Sequence, residues 1–108
     1  MSKFDDFIAA VEDGAKELAK DTIDDYIAEA KQDADVFLNK LKDDLRKWTL
    51  QLAQNELSKQ DFKDLVQAKE ALAEIHALTQ KGITLARLER FRSSLIDLII
   101  NTAFDVFL

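Results

Sequence analysis

Cysteine and proline are both missing from the chain, and glycine occurs only twice. Without cysteine there is no disulfide, no thiolate metal site and no cysteine nucleophile, and the fold does not depend on an oxidising compartment. Without proline, and with so little glycine, the many tight turns of an all-β chain have no residues to build them. Few, long helices remain. Histidine occurs once. It cannot furnish the two Glu-x-x-His motifs of a di-iron bundle, and the residue three before His76 is Ala73. Neither GxxxxGK[ST] nor GxGxxG is present, Gly14 and Gly82 being isolated, so no nucleotide or other cofactor is expected. Long apolar runs are lacking too. Nothing approaches the roughly 18 uninterrupted apolar residues of a spanning helix. The opening MSKFDDFIAA has too short an apolar run and too acidic a flank for a secretory signal. A cytoplasmic protein without a transmembrane segment is the expectation.

What is present suits a folded chain. Hydrophobic residues make up 47% of the 108 positions and charged residues 33%, which fits one globular domain. At this length about 65% of the unfolded surface is buried on folding, enough for one core with little room for a deep pocket. The net charge is −6, with most of the acidic surplus in the first half. Such a chain repels nucleic-acid backbones and anionic membranes, so no nucleic-acid partner is expected.

Apolar residues recur at helical spacing. Phe4, Phe7, Ile8, Val11, Ala15 and Leu18 mark an amphipathic helix over 3–20. Gly14 lies inside it, at a cost of about 1 kcal/mol relative to alanine, and close packing against another helix would be one reason to keep it. A second stripe, Ile23, Ile27, Ala30, Ala34, Phe37, Leu41, Leu45, Trp48 and Leu52, is offset by about 100° from the first. The offset predicts a break near KDTIDD, with Thr22 as N-cap and Asp25 three positions on, and a helix over 22–56. Ser58 followed by Asp61 opens a third helix over 59–81, with Phe62, Leu65, Ala68, Leu72, Ile75 and Thr79 on one side. Gly82, in a left-handed conformation, closes it, and Thr84 caps a fourth helix over 85–107. The expectation is an all-α, elongated bundle of three to four amphipathic helices, mostly antiparallel.

Candidate chemistry is sparse. The stretch Asp33–Asp44, DADVFLNKLKDD, has acids at three positions of a calcium loop. However, Leu38 stands where that loop needs glycine, and the stretch lies within the cleanest helical stripe, so a solvated helix face is the better reading. No metal site and no catalytic residue is assigned: a lone histidine has no metal-site signature, and no base is placed beside Ser58, Ser93 or Ser94. His76, Glu89 and Arg92 fall toward the apolar sides of their helices and could form a buried polar cluster, a structural network rather than an active site. The basic patch Arg87, Arg90 and Arg92 is diluted by Glu89, and Trp48 lies on a core stripe.

The C-terminal stretch LIDLIINTAFDVFL raises a different question. Asp97, Asn101 and Asp105 form one narrow wet stripe, and nearly everything else there is apolar. With Leu95, Leu98, Ile99 and Val106 facing the chain's own bundle, Ile96, Ile100, Phe104 and Phe107 need separate cover. A second copy of the chain is the first expectation and the N-terminal helix the second. These four residues are therefore the candidate interaction surface, and the expected function is that of a non-catalytic structural or protein-interaction protein forming an oligomeric bundle. The alternative is reversible binding to a lipid or other apolar surface by amphipathic helices, with Lys31, Lys40, Lys42 and Lys47 flanking the stripe of the second helix.

Overall fold

The computed structural model describes residues 2–23, 26–73 and 75–108. Five α-helices and a 3-10 turn account for most of them, with no strand among the described residues. The helices are α1 (Lys3–Thr22), α2 (Ile27–Ala53), α3 (Lys59–Gln67), α4 (His76–Thr79) and α5 (Leu85–Phe107), and the 3-10 turn spans Glu70–Leu72. The all-α class and the bundle are as the periodicity predicts.

Three N-termini are capped by hydroxyls. Ser2, Ser58 and Thr84 accept the backbone N–H of Asp5, Asp61 and Arg87 at 3.2, 3.0 and 3.4 Å. Each satisfies a donor that a helix start leaves open. Asp5 and Asp6 in the first turn of α1 and Asp61 in that of α3 add charge suited to the positive end of the dipole.

The break after α1 is present, but its chemistry differs from the expectation. Thr22 does not begin the second helix. It is the last residue of α1, and its hydroxyl donates back to the Leu18 carbonyl at 2.8 Å. The proposed partner Asp25 lies outside the described residues. The second helix starts at Ile27, five residues later than expected, and ends at Ala53 instead of Glu56. Asn55 stops it by taking φ 61°. The Glu56 N–H reaches the Gln51 carbonyl and the Asn55 N–H that of Leu52, the paired bonds of a Schellman motif around an αL asparagine.

The expected third helix over 59–81 is overturned more fully. It stops at Gln67, and the 3-10 turn and the single turn of α4 follow as separate elements. The expected stripe assumes one continuous helix, and Leu72 and Thr79 are exposed instead of buried. Contacts from distant helices hold the broken form. Asp33 of α2 is buried, and its two carboxylate oxygens accept the Ala77 and Leu78 N–H groups at 3.1 and 3.0 Å. The Arg92 Nε–H donates to the Ala73 carbonyl at 3.1 Å. Polar groups that a continuous helix would satisfy internally are thus satisfied across the bundle. Gly82 has the positive φ expected of it, 72°.

α1 folds back along both α2 and α5. Phe7 meets Phe107 at 5.8 Å between ring centroids, Gly14 lies against Leu98, and Arg87 Nε donates to the Thr22 carbonyl at 3.1 Å. Those pairings run in opposite chain directions, so α1 and α5 are antiparallel. A Cβ on Gly14 would come within 2.7 Å of the Leu98 Cδ1, which accounts for the glycine. On the other side of α5, Phe62 of α3 sits 5.9 Å from Phe104. One contiguous core follows, with Phe7, Phe37, Phe62, Phe91, Leu41, Leu45, Leu52, Leu95 and Ile99 fully buried. The principal extents are 43 × 27 × 20 Å.

Candidate functional site

The surface expected to need a partner is already covered. Ile96 and Ile100 are 2% and 3% exposed. Phe104 and Phe107 are half-buried, the first with its ring tilted against Phe62 and the second edge-on to Phe7. Of the candidate interaction surface, Ile96 and Ile100 are therefore interior, whereas Phe104 and Phe107 keep part of their surface exposed. α5 buries one face against the rest of the bundle and the other against α1. The N-terminal helix, the second of the two expected answers, covers Phe107 through Phe7, and α3 covers Phe104 through Phe62.

The expected buried cluster of His76, Glu89 and Arg92 is also corrected. Arg92 and Glu89 pair at 3.0 Å, with the Glu89 side chain half exposed. His76 is exposed on α4 and lines a depression on the α2 side with Glu29, Gln32, Val36 and Lys81. The break in the third helix is the cause, because it turns His76 off the line on which a continuous helix would carry it. One polar contact that is buried, Asp33 to the start of α4, involves a residue assigned above to a solvated face. Its neighbour in the calcium-like stretch, Asp44, pairs with Lys69 at 3.8 Å, and the stretch is helical throughout. Among the described residues no group of three His, Cys, Asp or Glu is placed to hold a metal ion, and no helix is long and apolar enough to cross a membrane.

A different surface stands out at the end of the bundle where α1 begins and α2 and α5 finish. Lys3, Phe4, Arg46, Thr49, Leu50, Ala53 and Phe107 line a groove of about 310 Å³. Its floor is apolar. The one hydroxyl in it, Thr49, donates to the Leu45 carbonyl at 2.7 Å, so it is already satisfied. Leu50 on the wall is 56% exposed. Two further depressions have mixed linings: Glu12, Asp35, Asn39 and Lys42 beside Ile8 and Leu38 in one, and Glu29, Gln32, Asp33, His76 and Lys81 beside Val36 in the other.

The rim of the groove has its own electrostatics. The Arg46 guanidinium lies over the Phe4 ring, 4.8 Å from its centroid. A cation held on a ring face keeps its in-plane N–H donors directed outward. Lys3 is the second cation of the lining, and no acid belongs to it. Neither Lys3 nor Arg46 has an ion-pair partner among the described residues. On a chain with 21 acids and 15 lysines and arginines, a lining with two bases and no acid runs against the average.

Sequence reasoning missed this groove, although one signal was available. Leu50 lies two residues from both Trp48 and Leu52, about 200° away around the helix, and so stands outside the core stripe. The pairing of Phe4 with Arg46, 42 residues apart in sequence, has no local signature. No family model, no curated protein and no solved structure matches the chain.

Proposed function

We propose that this protein is a non-catalytic protein-interaction module, a helical bundle that docks a helical segment of another protein in the groove between α1, α2 and the end of α5. The groove itself carries the reading: an apolar floor, an exposed Leu50 and a rim of unpaired cations. An apolar groove between helices is a common receptor for one face of an amphipathic helix, with alternate aliphatic anchors filling it. A catalytic reading has no comparable support. Among the described residues no nucleophile, base and pocket come together.

The oligomeric part of the expectation is not needed to cover α5. Lipid binding by the amphipathic helices would require α2 to turn outward the stripe of Ala30, Ala34, Phe37, Leu41 and Leu45, which is buried. The docking reading needs no such opening.

The test is a binding selection. A displayed library of peptides about 15 residues long, enough for four helical turns, carries a fixed aliphatic stripe and randomised flanks. It is panned on the folded protein and on Leu50→Asp. Enrichment of stripe-bearing peptides on the parent chain, lost on Leu50→Asp, is expected. Enrichment indifferent to Leu50, or none, would overturn the proposal.

A further inference from the structure

We infer that the segment docked in this groove is acidic: an amphipathic helix that places a carboxylate beside its apolar anchor, against Arg46 and Lys3. This rests on the docking reading above and goes beyond it by naming the partner's chemistry.

The argument begins with what the groove offers. Its interior has no unsatisfied polar group to direct a ligand, because the Thr49 hydroxyl is bonded to its own helix. Directional recognition must therefore come from the rim. Arg46 is held there by the Phe4 ring, so less side-chain freedom is lost when it binds. Its fork of N–H donors matches a carboxylate in a bidentate arrangement, which a neutral or cationic partner cannot return. Lys3 follows Ser2, the cap of α1, and adds a second positive charge on the same lining. A partner helix with a leucine or phenylalanine in the groove carries its neighbours on that face three or four residues away, within reach of the rim. Glutamate or aspartate there would meet a cation, whereas lysine there would meet like charge and be excluded.

Charge complementarity also bears on which occupant is favoured. A second copy of this chain would bring a net charge of −6, but its exposed Val36, Leu72 and Leu85 lie on three different elements, so no one helix offers them as a stripe to fill the groove. An anionic lipid surface would suit the cations yet be repelled by the rest of the acidic chain. A separate acidic helix satisfies the floor and the rim together.

The experiment reads charge in the peptides recovered from the selection above. Enrichment of Glu and Asp over Lys and Arg beside the stripe is expected. A selected peptide and its Glu→Lys counterpart are then titrated against the parent chain, Arg46→Lys, and the double variant Lys3→Glu/Arg46→Glu. The acidic peptide should bind the parent about tenfold more tightly than its lysine counterpart, more weakly as salt rises. The double variant should reverse the preference, and Arg46→Lys should keep its sign with a smaller ratio. Far-UV dichroism and thermal melts verify that the double variant is folded; if it is not, Lys3→Glu alone provides the reversal test. Equal affinity for the two peptides, with Leu50→Asp still abolishing both, would overturn the acidic partner and leave the docking groove standing. Self-association by sedimentation velocity, or flotation with phosphatidylglycerol vesicles, in either case abolished by Leu50→Asp, would overturn it in favour of a second copy or a membrane.

Discussion

At the scale of single residues, two side chains do what no local pattern announces. Asp33 sits on α2 with both carboxylate oxygens on backbone N–H groups of α4. A buried carboxylate with two such donors stabilises the folded state only while both are in place, and removing it strands two N–H groups. Asp33→Ala should cost about 2–3 kcal/mol, read as a lower urea midpoint. Hydrogen exchange should speed up at Ala77 and Leu78 more than at Leu45. A variant of parental stability would show that water replaces the carboxylate without loss. Arg46 is the second case. Its contact with Phe4 contributes about 0.5–1 kcal/mol at an exposed site, so Arg46→Ala should barely move stability while weakening an acidic ligand.

At the scale of elements, the sequence is legible where a helix is decided by its own residues and illegible where a distant one decides. Ser58 and Thr84 announce their roles through local backbone chemistry, and the structure places both as expected, while Gly82 keeps its positive φ but lies two residues past the Gln80 cap instead of next to it. The core stripe of α2 is equally plain, since a helix with apolar steps of three and four has one face to bury. Residues 68–81 continue the apolar rhythm, and periodicity alone extends the third helix through them. Asp33 and Arg92, reaching in from α2 and α5, bond to Ala73, Ala77 and Leu78 and hold the later part of the segment in its broken form, so tertiary contacts override propensity there. Gly14 shows the intermediate case: the sequence suggests close packing, and the structure supplies Leu98 as the neighbour. Gly14→Ala should be nearly neutral, because about 1 kcal/mol of helix propensity is offset by displacing the end of a half-buried leucine. Gly14→Leu should wedge α1 from α5 and destabilise by roughly 2–3 kcal/mol. Equal melting temperatures for the two variants would contradict the close approach.

At the scale of the whole molecule, the decisive event is that α1 folds back. The apolar excess of the C-terminal stretch was legible. Its solution was not, because the same excess would suit a second chain, and only the seating of Phe7 against Phe107 and of Gly14 against Leu98 chooses between them. The radius of gyration, 13.6 Å, is close to the roughly 13 Å expected of a compact chain of this length. With α5 covered on both faces, the chain alone should sediment as a monomer. A stable dimer at micromolar concentration would mean that another surface drives association. Deleting residues 104–108 should still cause unfolding or aggregation, since Phe104 and Phe107 leave with them. Phe107→Ala alone should cost about 2–3 kcal/mol, below the 3–5 kcal/mol of a fully buried phenylalanine.

The central claim is that the groove at Leu50 is where a partner binds. Backbone amide chemical-shift mapping of the labelled protein against a selected acidic peptide tests it most directly. The account predicts that the largest shifts fall on Phe4, Arg46, Leu50, Ala53 and Phe107. Shifts centred instead on His76 and Gln80, or spread along the whole of α2 as the bundle opens, would contradict it.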